Sequence, residues 1–395
     1  MSVDNKVPEI RFKGFSGAWE EKGLGTDVAE ILGGGTPSTS ISEFWDGDID
    51  WYSPTEIGSN VYAEGSQKKI TALGLKNSSA KILPADNTVL FTSRAGIGDM
   101  AILARPGATN QGFQSFIVKE GFSPYFIYSA GKQIKDFALK HASGSTFLEI
   151  SGKQLGRMKI LMPSSEEQIA IGNYFQKLDA LINQHQKKYD KLSNIKKAML
   201  EKMFPKQGET IPDIRFKGFS GEWEEKAICD LFTVTRGNVL SATKTSPIPT
   251  LYKRYPVYSS QTKNNGLMGF YDKYLFENAI TWTTDGANAG TVNFRDGKFY
   301  STNVNGVLLS DEGYANKAIA EILNKEAWRH VSHVGNPKLM NNVMSAIKIT
   351  IPNSVEEQTA IGSYFQKLDN LINQHQQQIT KLNNIKQACL NKMFV

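Results

Sequence analysis

EEQIAIGNYFQKLDALINQHQ at 166–186 returns as EEQTAIGSYFQKLDNLINQHQ at 356–376, and this repeat decides the fold. Extended to 166–204 against 356–394, it keeps 28 of 39 positions. No Pro interrupts either copy, and the only Gly of the first, Gly172, lies near its start. Apolar residues recur every seven: Ile171, Leu178, Leu192 and Met199 form one row, and Tyr174, Leu181 and Ile195 the next. The second copy supplies Ile361, Leu368, Leu382 and Cys389, with Tyr364, Leu371 and Ile385. Sustained heptads predict a coiled coil. Pro163, Ser164 and Glu166/Glu167 open the first helix, and Pro352, Ser354 and Glu356/Glu357 the second, with carboxylates at the positive dipole end. Pro205 stops the first helix. Each helix of about 39 residues is roughly 58 Å long. Two related halves in one chain favour pseudo-two-fold symmetry, which runs the helices antiparallel. His185 and His375 fall at a seam position in the middle of each helix. They either pin the register, as polar groups in a seam do, or reach the edge of the coil and meet water.

Outward from the helices, VPEIRFKGFSGAWEEK at 7–22 returns as IPDIRFKGFSGEWEEK at 211–226, with 13 of 16 positions identical. Nearly identical frames therefore enclose two unlike inserts. Weak echoes give the inserts a common topology. VLFTSRAGIGDMAIL (89–103) answers AITWTTDGANAGTVNF (279–294), each a β-rich run, a Gly-rich turn and another β-rich run. TNQGF (109–113) answers STNVNGV (301–307). A helix is expected over 124–141 and 314–330, then a short strand within 157–163 and 346–352. The fold class read from this pattern is α+β: two globular domains separated by a long antiparallel two-helix coiled coil, with a pseudo-two-fold internal repeat. The expected segments are a connecting arm 1–22, a first domain 23–163 and a long helix 164–204. A second arm 205–226, a second domain 227–352 and a second helix 353–395 follow.

Composition narrows the chemistry. Hydrophobic residues at 40% and charged residues at 21% describe a globular chain. The absence of a long apolar run and of a secretory leader sets the expectation of a cytoplasmic protein. With only Cys229 and Cys389, neither a disulfide framework nor a thiolate zinc cluster is expected. The net charge of +6 is uninformative by segment, since 23–155 carries 11 basic against 13 acidic residues and 227–345 carries 12 against 9. No phosphate loop of the G-x-x-x-x-G-K-[ST] type and no Asn- or Asp-Pro-Pro-aromatic methyltransferase motif occurs. No catalytic residue and no metal site is expected in this chain. Pro212-Asp213 with Glu224-x-Lys226 mimics a PD-(D/E)xK nuclease pattern, as do Pro8-Glu9 and Glu20-x-Lys22. That pattern sits in a short arm rich in Gly and aromatics rather than in a sheet of its own. Phe12, Phe15 and Trp19, with Phe216, Phe219 and Trp223, read better as docking staples that face the coil or a partner protein.

Taken together, these residues resemble the specificity subunits of type I restriction-modification systems. The carriers are the helical repeat and the RFKGFSG-x-WEEK arm in both halves. The first insert adds GGGTPS (33–38), WDGDIDWYSPTEI (45–57), SSAKILPADNTVLFTSRAGIG (78–98) and TNQGF. The second insert lacks the Trp-x-Gly-Asp-Ile-x-Trp segment and carries YPVYSSQTKNNGLMGFYD (255–272), which looks like another class of reading domain. The resemblance implies a non-catalytic subunit with two target-recognition domains that bind a split double-stranded DNA target, one half each. It implies recruitment of two methyltransferase subunits, often with two motor-nuclease subunits. S-adenosylmethionine, ATP and Mg²⁺ would then reside on those partners, which methylate adenine-N6 or cut. A stand-alone duplicated DNA-binding regulator and a coiled-coil protein adaptor are the competing readings.

Base identity is read in the major groove, and phosphate contacts set the register. The candidate DNA-contacting residues are therefore polar side chains on exposed loops, each of which would otherwise be an ordinary solvated loop residue. In the first domain these are Thr36, Ser38, Lys68, Lys69, Ser93, Arg94 and Gln111. In the second they are Arg236, Asn238, Ser260, Gln261, Lys263, Asn264, Asn265, Thr284 and Asn288, with Lys253, Arg254 and Lys298 as phosphate clamps.

Overall fold

The computed structural model describes residues 6–58, 60–144, 148–260 and 263–395. The chain divides into two compact units, Met1–Gln186 with Gln377–Val395, and Lys187–Gln376. Both boundaries fall inside the long helices, Ser165–Lys202 and Val355–Lys392. Each unit thus joins one globular domain to the first part of one long helix and the last part of the other.

In the first unit a five-stranded sheet runs in the order Ala29–Gly33, Gln114–Val118, Thr88–Phe91, Met100–Leu103, Tyr62–Ala63. Its central strand, Thr-Val-Leu-Phe at 88–91, is buried at all four positions, as a strand covered on both faces must be. A smaller sheet joins Lys68–Ile70, Trp45–Tyr52 and Gly107–Thr109. The expected helix over 124–141 is two, Pro124–Ser129 and Gly131–His141, and their Phe126, Ile127, Ile134 and Ala138 are fully buried. In the second unit a six-stranded sheet runs in the order Thr233–Arg236, Asn305–Leu309, Phe276–Thr283, Val292–Ser301, Tyr255–Tyr258, Leu267–Tyr271. The helix Lys317–Ala327 packs on it through Ala318, Ile319 and Leu323.

Each insert is closed at its neck by a two-stranded clasp. Glu20–Gly23 pairs antiparallel with Lys159–Met162, and Glu224–Ala227 pairs with Lys348–Ile351. The repeated arm leads into this clasp and is fixed to the long helix of its own unit. Arg11 donates two hydrogen bonds to Glu167, at 2.7 and 2.6 Å, and Arg215 donates two to Glu357, both at 2.6 Å. Both carboxylates are buried, so the planar guanidinium fork satisfies groups that water cannot reach. Four of the six aromatic staples pack on the long helices, on the residues just past their ends or on an insert helix. Phe12 meets Tyr174 and Phe216 meets Tyr364, while Trp19 packs on Phe126 and Phe394 and Trp223 on Phe204. Of the nuclease-like residues, Asp213 pairs with Lys206 at 3.0 Å, outside the pattern, and Glu224 pairs with Lys226 at 2.9 Å.

The same stripe of each long helix receives the insert. Gln168 accepts from the backbone N–H of Ser123 at 3.1 Å, and Gln358 accepts from Asn316 at 3.0 Å. Ser123 and Asn316 are the N-caps of the insert helices, so both inserts present a helix start to the same glutamine. One turn on, a Cβ at Gly172 would stand 3.0 Å from Ser123 Oγ, and one at Gly362 would stand 3.2 Å from the Ala318 nitrogen. Phe175 and Phe365 are fully buried beside them. Last in the stripe come Asp179 and Asp369. Asp179 accepts from Tyr125 Oη at 2.6 Å and from Lys386 at 2.5 Å. Asp369 is held by Lys196 at 2.6 Å and Lys317 at 2.8 Å. Within each unit the helix segments run antiparallel: Tyr174 meets Cys389 while Asp179 meets Lys386, and Phe365 stacks on Phe204 while Asp369 meets Lys196.

One member of the expected second row is displaced in each helix, while Tyr174, Ile195, Tyr364 and Ile385 of the same row pack against the cores. Leu181 and Leu371, placed in the second heptad row by sequence, are 44% and 43% exposed. The buried face in this part of the helix follows Gln168, Ile171, Phe175 and Leu178, the face that the insert covers, and Leu181 turns away from it.

Two outcomes follow from this packing. Arg215→Ala leaves Glu357 buried without its partner and should cost about 3 kcal/mol. Thermal unfolding should show this as a transition about 6–10 °C lower, with only partial recovery in Arg215→Lys. Burial opposes ionisation of Asp369, but Lys317 and Lys196 overcome it and hold the carboxyl below the usual aspartate range. Its contribution is complete above the ordinary aspartate pKa of about 4 and is lost as pH falls through its lower folded value. Asp369→Asn should remove that part of the acid sensitivity of the second unit in a pH series of unfolding midpoints.

Candidate nucleic-acid interface

Three loops converge at one end of each insert, and the two convergences share one hydrogen-bond plan. In the first unit, Ser93 N–H donates to the Gly112 carbonyl at 2.8 Å, and the Ser93 carbonyl accepts from Ile150 N–H at 3.1 Å. In the second, Thr284 N–H donates to Val304 at 3.0 Å and its carbonyl accepts from Leu339 N–H at 2.9 Å. The backbone of one residue thus ties the Gly-rich turn to a later loop, around Gly112 or Val304, and to a third loop further on. Ser93 and Thr284 were expected as exposed readers, and this is corrected: both are fully buried. Their position at the junction requires it, because a residue bonded to two flanking loops is covered by them.

Around Ser93, the first unit assembles its polar loops. Gly35 N–H donates to Thr109 at 2.8 Å, Thr36 Oγ1 bonds Gln111 Oε1, and Trp51 Nε1 donates to the Gly35 carbonyl at 2.8 Å. GGGTPS and TNQGF therefore form one surface, with Gln111 and Ser38 exposed on it. Glycine is required at 34, where a Cβ would lie 2.2 Å from the carbonyl oxygens of Thr109 and Asn110. Lys68 and Lys69 are exposed on the smaller sheet, Lys68 over the Trp45 ring at 5.9 Å and Lys69 at 3.8 Å from Asp50. Arg94 is half-buried, and its guanidinium lies 4.0 Å from Glu149.

In the second unit the segments at 236–238, 259–260, 301–302 and 284–290 are drawn together. Asn238 N–H donates to Ser301, Thr302 Oγ1 to Ser259 Oγ at 3.0 Å, and Asn288 Nδ2 to the Ser260 carbonyl at 3.3 Å. Arg236, Asn238, Asn264 and Asn265 are exposed. Asn264 and Asn265 both adopt φ of 52°, the left-handed region that asparagine tolerates. Gln261 lies outside the described residues, and Lys263 is described in its backbone only. Arg254 and Lys298 come together through an aromatic pair: Arg254 lies 5.0 Å from the Tyr255 ring, Lys298 4.7 Å from Tyr274, and the two rings are 5.1 Å apart. Lys253 is drawn inward and donates to the Lys244 carbonyl at 2.7 Å.

Sequence reading passed over three residues here. Glu149 and Lys338 belong to the third loop of each convergence, whose sequences, ASGSTFLEI (142–150) and VSHVGNPKL (331–339), match only at the serine that bridges to each of them, Ser143 and Ser332. Their ion pairs are reversed in polarity: Arg94 with Glu149 in the first unit, Asp285 with Lys338 at 3.8 Å in the second. Arg295 is the third. It is 6% exposed, donates to Thr281 Oγ1 at 3.0 Å and stacks 3.7 Å from the Tyr258 ring, while burial lowers its pKa to about 10. It remains charged at neutral pH and fixes the strand end that launches the Ser259–Ser260 loop. An arginine inside a strand pattern was the available signal. Among the described residues, no group of three or more His, Cys, Asp or Glu side chains could hold a metal ion, and no helix is long and apolar enough to cross a membrane.

Gly34→Ala should separate the two loops that Thr36 and Gln111 join, at a cost of about 1–3 kcal/mol. Proteolysis at 33–40 should become faster, and an unchanged rate with unchanged stability would contradict the required close approach.

With this geometry in place, comparison with known proteins gives a consistent answer. The family model described as "Type I restriction modification DNA specificity domain" matches residues 17–194 and 220–384. The chain is 29% identical over 404 aligned residues to the type I restriction enzyme MjaIX specificity subunit of Methanocaldococcus jannaschii, covering 95% of this chain and 92% of that one. It is 23% identical to the EcoprrI specificity subunit of Escherichia coli, covering 92% and 90%. The crystal structure of a type I restriction-modification S subunit from M. genitalium superposes with a TM-score of 0.74 at 15% identity, covering 98% of this chain and 99% of that one.

Proposed function

Because the chain belongs to the type I restriction-modification DNA specificity family, we propose that it reads a bipartite double-stranded DNA target, one half per insert, and directs enzymes that it does not itself contain. The observation that carries this reading is the pair of unlike loop convergences carried by inserts seated on one repeated stripe of helix. A shared mount with divergent loops suits two different half-sites. The partners are two methyltransferase subunits and two motor-nuclease subunits, which bring S-adenosylmethionine, ATP and Mg²⁺. Methylation of adenine-N6 requires the base to leave the stack and enter the partner's pocket, so this chain's task is to hold the duplex in register.

In this reading the long helices form an antiparallel coiled coil that spaces the readers, with His185 and His375 pinning its register. Two readers on one face of B-DNA are separated by about one helical turn, roughly 34 Å, leaving a gap of unread bases between the half-sites. Gln111 and Ser38 in the first insert, and Asn238, Ser260, Asn264, Asn265 and Asn288 in the second, address base edges. Arg94 suits guanine, which accepts a bidentate guanidinium. Lys68, Lys69, Arg236, Arg254 and Lys298 address phosphates.

Single-molecule sequencing of methylated adenines in a host carrying this chain and its methyltransferase should reveal a split motif with an unspecified spacer. A continuous motif rejects the two-reader function. If the chain never co-purifies with a methyltransferase, it is a stand-alone DNA binder instead. Arg254→Ala and Lys298→Ala should weaken binding across all sequences, and each should lower the slope of log affinity against log salt by about 1. Gln111→Ala should instead relax the choice of base in one half-site at little change of slope.

A further inference from the structure

Between Asp230 and Asp272 the chain has no carboxylate, while Arg236, Lys244, Lys253, Arg254 and Lys263 supply five cations. At the centre of this acid-free stretch stands a tight turn. Thr250 N–H donates to the Lys253 carbonyl at 2.9 Å, and Lys253 N–H donates back to Thr250 Oγ1 at 2.9 Å. The two residues at its tip are Leu251, 85% exposed, and Tyr252, 81% exposed. Turn tips ordinarily carry Gly, Asn, Asp, Pro or Ser. Two large apolar side chains held there cost solvation and add nothing to the core. Ile248, at 66% exposure, extends the patch, and Pro247 and Pro249 stiffen the approach to the turn. Scattered exposed apolar residues need no explanation, but a contiguous set on a closed turn marks a contact surface.

The surroundings select the partner. Lys253 anchors the turn through the Lys244 carbonyl, and Arg254, Tyr255, Tyr274 and Lys298 form a cation–aromatic row that starts two residues beyond the tip. The strand that follows, Tyr255–Tyr258, leads to the Ser259–Ser260 loop and spans roughly 13 Å, about the rise of four base pairs at 3.4 Å each. An apolar tip followed directly by Lys253 and Arg254, with carboxylates absent from its own stretch of chain, complements a polyanion with an apolar interior. Stacked bases behind a phosphate backbone fit that description.

We propose that Leu251 and Tyr252 form a wedge that inserts into a base step of the duplex, a few base pairs from the bases addressed by the Ser260 loop. Arg254 and Lys298 would hold the flanking phosphates. This rests on the DNA-reading function proposed above. Such wedges part a stacked step and kink the duplex, and flexible pyrimidine–purine steps yield most readily. The second half-site would therefore contain a position chosen by deformability rather than by hydrogen bonding.

The test uses the full chain and a duplex selected by it from a random pool, with 2-aminopurine placed in turn at each position. The fluorescence should rise at one step on binding. The paired change Leu251→Ala and Tyr252→Ala should abolish the rise and weaken binding about tenfold, and Tyr252→Phe should retain both. Since both tips are exposed, neither variant should alter the fold, as circular dichroism checks. A duplex that binds with no rise at any step overturns the wedge and leaves DNA reading intact. Failure to select any duplex overturns DNA reading, and the wedge with it. A paired variant that keeps the affinity and the rise but no longer co-purifies with a methyltransferase assigns the turn to a protein partner and overturns the wedge.

Discussion

Everything in this architecture depends on the seating of two unlike inserts against one repeated stripe of helix. Glu167, Gln168, Gly172, Phe175 and Asp179, with Glu357, Gln358, Gly362, Phe365 and Asp369, form two copies of one socket. The glutamate takes the arginine of the arm, and the glutamine takes an N-cap from the insert. The glycine gives the insert helix room to approach, and the phenylalanine fills the base. The glutamate and glutamine are buried and the aspartate half-buried, so each demands a specific partner and penalises a misplaced one. A socket of this kind fixes an insert's orientation while leaving its far loops free to vary.

The lower end of the socket shows how much variation it accepts. Asp179 receives the hydroxyl of Tyr125, whereas Asp369 receives Lys317, itself paired with Glu321 at 2.8 Å. Burial raises the Tyr125 hydroxyl pKa, and its bond to Asp179 raises it further, so the phenol remains a donor. A neutral donor in one unit and a cation in the other satisfy the same carboxylate. The partner lysines, Lys386 and Lys196, occupy corresponding positions of the repeat and complete both sites. The loops at the opposite end repeat the theme, with the same backbone junction at Ser93 and Thr284 and ion pairs of reversed sign beside it.

Sequence made the frame legible because heptads, proline stops and a literal repeat are local signals. One strand of each neck pair, within 157–163 and 346–352, and the helices of the inserts follow from the same patterns, whereas the partner strands Glu20–Gly23 and Glu224–Ala227 lie in segments that read as connecting arm. It misplaced Leu181 and Leu371, since a heptad assumes that the partner helix sets the buried face, and here the insert does. It also counted Ser93 and Thr284 as exposed, because polarity in a Gly-rich turn looks the same whether the residue faces water or ties three loops together. Glu149, Lys338 and Arg295 escaped because their relevance comes from contacts across long separations in sequence. The acid-free stretch from 231 to 271 was visible in the sequence, but an average over the whole insert concealed it.

The central claim is that each insert addresses one half of a split target independently of the other. The most direct measurement compares methylated-adenine maps from hosts carrying Gln111→Ala or Asn288→Ala. The account predicts that the first change alters bases in one half of the motif only and the second alters the other half only, with the spacer unchanged. If either substitution changed both halves together, or changed the spacer, the two inserts would not be separate readers on a common mount.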